Sequence, residues 1–170
     1  MDGTSPDYAL YTGGARIIPH LTTRDYEAWP SKSYQVLWGL LTRKNVVKSN
    51  KASIVITPSV NVGECWCFNG TQGQIAIRLS RSIFVTHITY HHIGRQVSID
   101  PISSAPKDFE LWGVIDDYYD DDDDYDDNNY YDHSNSDFRI RSIMMKVNSN
   151  HENPQFTCLY RLQVHGVNPL

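Results

Sequence analysis

The three cysteines are the residues whose chemistry depends most on what lies beside them. Cys65 and Cys67 are two positions apart, and Cys158 lies far along the chain. Residues two apart in an extended strand point to the same face, so the first two thiols could compete for the third. From spacing alone, three buried reduced thiols are the simplest interpretation. A zinc site is not supported, because there is neither a Cys-x-x-Cys motif nor a suitably spaced histidine pair.

A dense run of carboxylates is the next chemical feature. Residues 116–127 contain nine Asp and no Lys, Arg or Glu. A calcium loop of the EF-hand type needs a central Gly and a closing Glu, and no Gly lies between Gly113 and Gly166. Such like charge cannot bury enough area to offset its ordering entropy. We therefore predict that residues 116–137 form a flexible acidic loop that attracts cations weakly and without a specific site.

No set of residues in the sequence indicates catalysis. The chain has no Gly-x-Ser-x-Gly elbow and no phosphate-binding glycine loop. The aspartates of the acidic run cannot be held in a productive geometry by a mobile chain. We therefore predict a binding module and not an enzyme.

A modification motif stands at Asn69-Gly70-Thr71, the one N-glycosylation sequon in the chain. A chain in a secretory compartment could carry a glycan there. A plain Asn-Gly turn explains the same residues, so the sequence leaves both interpretations open.

The elements that would position these residues are short strands. Ile75, Ile77 and Leu79 alternate with smaller or polar residues, as in a half-buried strand. Further strands are predicted at 54–56, 65–68, 83–90, 109–115, 138–147 and 156–164. A short helix over residues 6–14 is predicted by Ser5-Pro6-Asp7 at its start and Gly13-Gly14 at its end. Many short strands with little helix indicate an all-β protein, an antiparallel β-sandwich.

Composition sets limits on partners and placement. The 170 residues are 40% hydrophobic and carry a net charge of -5, and removing the nine Asp leaves 15 basic against 11 acidic residues. The basic residues are scattered, so no nucleic-acid surface is expected. The longest apolar stretch, residues 34–41, is too short to span a membrane. The N-terminus is not a signal peptide, so a protein that enters a lumen would need a targeting segment outside this chain.

Several strings of residues together resemble the SUN-domain family. They are PDYAL at 6–10, GGA at 13–15, VGECWCFNGTQGQIAIRLS at 62–80, SSAPKDFELWGV at 103–114 and FTCLYRLQVHG at 156–166. They span almost the whole chain in the family's order. The resemblance implies one SUN domain over 1–170, a β-sandwich in the perinuclear space that belongs to a protein of the inner nuclear membrane.

The resemblance also implies a function. SUN domains form homotrimers, helped by a preceding coiled coil, and bind the C-terminal tail of a KASH protein. The pair, the LINC complex, links nucleoskeleton to cytoskeleton. We expect the same role and partner here, with no nucleic acid and with membrane attachment only through a segment outside this chain.

The family pattern implies two structural features near the cysteines. Cys65 and Cys158 match the positions of the family's disulfide, which leaves Cys67 free. Residues 54–64 resemble the family's cation loop, so a monovalent cation such as potassium is the one cofactor to consider. The loop's expected ligands are Ile54, Thr57, Ser59, Glu64 and Tyr160; Ser59 and Glu64 stand where the family often has Asp and Asn.

The family pattern also implies the peptide site. Residues 27–49 resemble the KASH lid, a protruding hairpin to which the peptide would add as a strand. The lid residues in contact with the peptide would be Tyr34, Val36, Trp38 and Leu40. The pocket for the peptide's terminal carboxylate would be formed by His92, Ser104 and Phe156. The last position is usually Tyr in the family, so one hydroxyl donor is lost here. Thr22 stands where better-known members carry a cysteine that bonds to the partner. His87 and His91 are rivals to His92.

A lectin-like module is the alternative from a different class. Similar β-sandwiches bind glycans, and Trp38, Trp66 and Trp112 could stack on sugars. Binding to glycans without affinity for C-terminal peptides would favour it.

Overall fold

The computed structural model describes residues 6–28, 47–93, 102–114 and 139–168. Within them the chain is mostly strand: β1 Arg16–Ile17, β2 Glu27–Ala28, β3 Val47–Lys48, β4 Trp66–Asn69, β5 Gly73–His91, β6 Phe109–Val114, β7 Ile140–Val147, β8 Phe156–Leu159 and β9 Arg161–Val167. Short 3-10 helices lie at Tyr11–Gly13, Pro19–Leu21, Ala52–Ile56 and Ile102–Ser104.

The long strand β5 organises the sheets. Its first part pairs with β7, from Gly73 opposite Val147, and with β1 on the other side. A register shift follows between Arg78 and Ile83. Its second part, from Phe84 to His91, then pairs with β9. β6 extends the first sheet by pairing with β7, and every pairing is antiparallel. The predicted all-β, antiparallel sandwich-like fold is confirmed.

The core consists of large apolar side chains from these strands and from the 3-10 helix Ala52–Ile56, and they are almost fully buried. It includes Val55, Ile56, Trp66, Phe68, Ile75, Ile77, Leu79, Ile83, Met145, Val147, Leu159, Leu162 and Val164. The predicted face of Ile75, Ile77 and Leu79 is confirmed as buried. Ala76 is buried as well, so this part of β5 is covered on both sides.

The predicted helix over residues 6–14 is not confirmed. Only Tyr11–Gly13 forms a 3-10 turn. The Tyr8 amide donates to the Val164 carbonyl, 2.8 Å away, and the Ser80 amide donates to the Tyr8 carbonyl at 2.9 Å. Neighbouring strands thus engage the backbone groups that a helix would need for itself.

Two predicted strands differ from the structure. Residues 54–56 lie in the 3-10 helix Ala52–Ile56, where the Ile54 amide bonds the Lys51 carbonyl at 3.0 Å. The predicted strand over residues 156–164 is divided at Tyr160 into β8, which pairs with β4, and β9, which pairs with β5. Alternation along one segment could not show that its halves have different partners.

The predicted lid and the acidic loop lie mostly outside the described residues. β2 and β3 pair with Glu27 opposite Lys48, so the two ends of the predicted lid, residues 27–49, lie side by side. The lid contacts Tyr34, Val36, Trp38 and Leu40 fall in 29–46, outside the described residues. Residues 116–137 do too, and they connect β6 and β7, which pair with each other.

Candidate functional site

The β4–β8 ribbon has one core face and one outer face. Trp66 and Phe68 on β4, with Thr157 and Leu159 on β8, are fully buried. Cys67 and Asn69 lie on the other face, opposite Cys158 and Phe156 respectively. Alternation along a strand thus places a disulfide and one residue of the predicted carboxylate pocket on the same side of the ribbon.

The disulfide joins Cys67 to Cys158, with Cα atoms 4.0 Å apart. The predicted pairing of Cys65 with Cys158 is therefore wrong. Cys67 lies directly opposite Cys158 in the ladder, whereas Cys65 precedes β4. The interpretation as three reduced thiols is also excluded.

Cys65 keeps a thiol beside this bridge. Its Sγ atom lies 3.8 Å from that of Cys67, and the three sulfur atoms lie within 4.8 Å of one another. Burial raises the pKa of Cys65, and a hydrogen bond with the Tyr160 side chain acts in the opposite direction. The thiol is thus held mainly protonated at neutral pH.

The predicted cation loop is closed by its own hydrogen bonds. The Ile54 carbonyl accepts from the Thr57 amide at 3.1 Å and from the Thr57 hydroxyl at 2.7 Å. The Ser59 hydroxyl donates to the Glu64 carboxylate. The Asn61 amide donates to Ser59 Oγ at 2.8 Å and to Glu64 at 3.1 Å.

Tyr160 joins the same loop through its hydroxyl, which accepts from the Gly63 amide at 3.4 Å. Gly63 has φ of 81°, a conformation that favours glycine and curves the loop. Oxygen ligands suited to a hard cation are therefore present, but each takes part in the loop's own bonding. Potassium at Ile54, Thr57, Ser59, Glu64 and Tyr160 stays a prediction.

His92 is half-buried just after β5. Its Nδ1 atom lies 2.9 Å from the Tyr90 hydroxyl, and its ring meets the Tyr160 ring edge-on with centroids 4.8 Å apart. Burial lowers the pKa of His92, and the nearby His151 lowers it further. A bound anion would reverse this effect, because a negative charge favours the imidazolium.

Ser104 and Phe156 belong to two elements that are in contact, a 3-10 helix and strand β8. Ser104 ends the 3-10 helix Ile102–Ser104, which packs against β8. The carbonyl of the next residue, Ala105, accepts the His151 amide at 3.1 Å. His151 is thus bonded to the residue after Ser104, and its charge lowers the pKa of His92 beside the larger effect of burial. Sequence reasoning missed His151 because no motif surrounds it.

Asn150 shapes the turn after β7 and was also missed. Its side-chain amide donates to the Asn153 carbonyl at 2.7 Å, the Phe156 carbonyl at 3.1 Å and the Thr157 hydroxyl at 2.8 Å. Asn153 Oδ1 accepts the Phe156 amide at 3.2 Å. Both backbone groups of Phe156 are therefore engaged within the turn.

The rival histidines lie on the β5–β9 pairing instead. His91 is exposed, and its Nε2 atom lies 2.6 Å from Gln163 Oε1. The ring of His87 is stacked on that of His165 with centroids 4.4 Å apart. Of the three, only His92 has its ring against Tyr160.

The tryptophans bear on the lectin-like alternative. Trp66 is fully buried and donates to Asp25 Oδ1 at 2.8 Å, so it cannot stack on a sugar. Trp112 is exposed on β6, and Trp38 lies outside the described residues. The three tryptophans do not form the sugar-stacking set that the alternative requires.

The family is settled by comparison with known proteins. Residues 45–168 match the Sad1/UNC-like C-terminal family. The chain belongs to the SUN-domain family.

Relatives resemble this SUN domain over nearly its whole length. SUN domain-containing protein 3 of Bos taurus is 33% identical over 94% of this chain, and SUN domain-containing protein 1 of Homo sapiens is 33% identical over 94%. The Klaroid protein of Drosophila melanogaster is 32% identical over 96%. The chain spans 46%, 21% and 18% of these three relatives respectively, less than half of each.

Across 6–28, 47–93, 102–114 and 139–168, none of the helices has the length and apolarity to cross a bilayer.

Proposed function

We propose that this SUN domain captures the C-terminal tail of a KASH protein in the perinuclear space and so forms the lumenal part of a LINC tether. The observation that carries this proposal is the family match over residues 45–168. The full-length protein would lie in the inner nuclear membrane, act as a homotrimer and link nucleoskeleton to cytoskeleton. The chain's own role is binding, not catalysis.

The geometry around His92 supports a carboxylate pocket. A half-buried imidazole lies beside a second histidine, His151, whose backbone is bonded to the residue after Ser104. Imidazolium and hydroxyl groups are donors that strengthen when the acceptor carries a charge. Phe156 supplies an apolar wall against Tyr26, with ring centroids 5.0 Å apart, and no hydroxyl.

The first test is the dependence of binding on a free tail carboxylate. A trimerised form of the chain is titrated with three versions of a KASH-tail peptide. The first has a free C-terminal carboxylate, the second is amidated, and the third is extended by one residue. We expect binding only to the free, unextended peptide. Equal affinity for the free and amidated peptides would rule out the assignment of a carboxylate pocket.

The second test uses neighbouring histidines as a matched pair. His92→Ala should weaken tail binding at least tenfold, which corresponds to ~1.4 kcal/mol. His91→Ala should leave the affinity unchanged, because His91 is exposed and bonded to Gln163 on β9. Phe156→Tyr should tighten binding by restoring a donor. A larger loss in His91→Ala than in His92→Ala would contradict the assignment.

A further inference from the structure

The turn after β4 contains the sequon Asn69-Gly70-Thr71, the single one among the 170 residues. From the sequence, an acceptor asparagine and an ordinary Asn-Gly turn were equally good explanations of it. The structure separates them through the backbone conformation and the side-chain contacts of these residues.

The turn needs the glycine and not the asparagine. Gly70 has φ of 77°, in the left-handed region, whereas Glu152 is the one non-glycine residue with positive φ in the described part of the chain. A tight primed turn would have required positive φ at Asn69 too. Gly70 is fixed by its amide, which donates to the Gln155 carbonyl at 2.8 Å, and by its carbonyl, which accepts the Thr157 hydroxyl at 2.8 Å. Asn69 has ordinary backbone geometry, so turn formation does not explain why it is asparagine.

Its side chain also has no structural role that the described residues reveal. Five other asparagines use their side-chain amides within the fold: Asn50, Asn61, Asn148, Asn150 and Asn153. Asn69 is exposed, and no hydrogen bond engages its side chain among the residues that the structure describes. Thr71, whose hydroxyl completes the sequon, is exposed as well.

There is room for a glycan on this face. Asn69 lies on the outer side of the β4–β8 ribbon, away from the buried Trp66 and Phe68. It borders a groove of about 900 Å³ that Pro19, Asp25 and Lys51 also line. A sugar attached there would extend over the surface without displacing a core residue.

We propose that Asn69 is an N-glycosylation site. The donor is a lipid-diphosphate-linked oligosaccharide: the bond from Asn69 Nδ2 to the anomeric carbon forms, the bond from that carbon to the diphosphate oxygen breaks, and the amide loses one proton. The proposal rests on the lumenal placement in the proposed function. Because Asn69 is opposite Phe156, the glycan lies next to the proposed carboxylate pocket.

The test is translation of the whole chain behind a cleavable signal peptide and a tag that carries its own sequon, in the presence of endoplasmic-reticulum microsomes. The unaltered chain should carry two endoglycosidase-sensitive glycans. Asn69→Gln and Thr71→Ala should each carry one, and the conservative Thr71→Ser should keep both. Asn61→Gln is the matched control at an exposed asparagine outside any sequon, and it should also keep both.

An unaltered chain that carries only the tag glycan would overturn the proposal, because the tag glycan shows that the chain was exposed to the transferase. That result would leave the proposed tether function untouched, since tail binding is measured separately. Enzymatic removal of the glycan in heavy-oxygen water converts the glycosylated Asn69 to Asp, and this Asp should carry the heavy oxygen. An unlabelled Asp at this position would instead show spontaneous deamidation of the Asn-Gly pair and would contradict the proposal.

Discussion

At the residue scale, the three sulfur atoms set the redox chemistry of the domain. Cys67 and Cys158 are bonded, and the Cys65 thiol lies 3.8 Å from Cys67 Sγ. A thiol beside a disulfide can replace one of its members, since exchange needs only attack by one sulfur on another. Cys158 has no comparable substitute among the three, because it is the sole cysteine on β8.

We predict an asymmetry among cysteine variants. Cys67→Ser should form a Cys65–Cys158 bond, because these sulfurs are already within 4.8 Å, and so lose little of the free energy of unfolding. Cys158→Ser removes every bridge between β4 and β8 and should cost about 2–5 kcal/mol. Non-reducing peptide mapping and urea unfolding measure both effects. Cys65→Ser is the control that keeps the native bridge, and two free thiols in Cys67→Ser would refute the prediction.

His92 gives a pH dependence whose sign can be worked out. Burial holds its pKa in the folded protein below its ordinary value of 6.5, which applies in the unfolded chain. Between these values the unfolded chain binds more protons, so the free energy of unfolding falls as the pH drops below about 6.5. His92→Gln should reduce the loss of Tm between about pH 7.5 and pH 5.5. His91→Gln is the control, because His91 is exposed, and this variant should lose as much Tm over this pH range as the unaltered chain. Equal losses of Tm in His92→Gln and His91→Gln would contradict the prediction.

Residue types predicted some of these features and not others. The Cys-x-Cys spacing predicted two thiols on one face, but not which of them lies opposite Cys158, because that depends on a register of one or two residues. His92 was found by resemblance. His151 and Asn150 were missed, since a polar turn residue acquires its role only from the strands that the turn connects.

At the element scale, the N-terminal segment is held to β9 by Asp7. Asp7 Oδ1 accepts from the Ala9 amide at 3.0 Å and the Val164 amide at 3.2 Å, and Oδ2 accepts from Arg161 at 3.2 Å. The pair with Arg161 is mostly buried, with side-chain exposures of 15% and 10%. This carboxylate ties a segment that looks like a helix start to β9, and the segment turns there instead of continuing as a helix.

We predict that Asp7→Ala lowers the free energy of unfolding by about 2 kcal/mol, because it leaves Arg161 Nη2 and two backbone amides without the acceptor they have in the native fold. Lys48→Ala is the matched control: it removes the exposed pair with Glu27, 2.7 Å long, and should change stability by less than about 1 kcal/mol. Urea unfolding of both variants checks the difference. A loss in Lys48→Ala equal to that in Asp7→Ala would show that burial is not the cause.

Strands were easier to predict than their partners. The apolar and β-branched runs located strands within β5, β6 and β7, although Phe109, Leu111 and Trp112 on β6 are exposed. They could not show that residues 73–91 form one strand, since the register shift after Arg78 interrupts the alternation. They also could not separate β8 from β9 at Tyr160, because the burial continues through the break.

At the scale of the whole molecule, β5 belongs to both sheets: β1 and β7 flank its first part, and β9 pairs with its second. Gly166 marks how closely the second pairing is packed, since a Cβ atom there would lie 2.3 Å from the Phe84 carbonyl oxygen. The two layers therefore share one backbone and do not only contact each other through side chains.

A shared strand has a consequence for how the domain comes apart. Two sheets joined by side chains alone can open one after the other, as separate cooperative units. Here both sheets contain β5. When one sheet opens, the amides of β5 are exposed, and this destabilises the second sheet, which is built on the same strand. Slowly exchanging amide protons in the two parts of β5 should therefore report one common opening free energy, and a pulling force that enters through β9 would be borne by the first sheet as well.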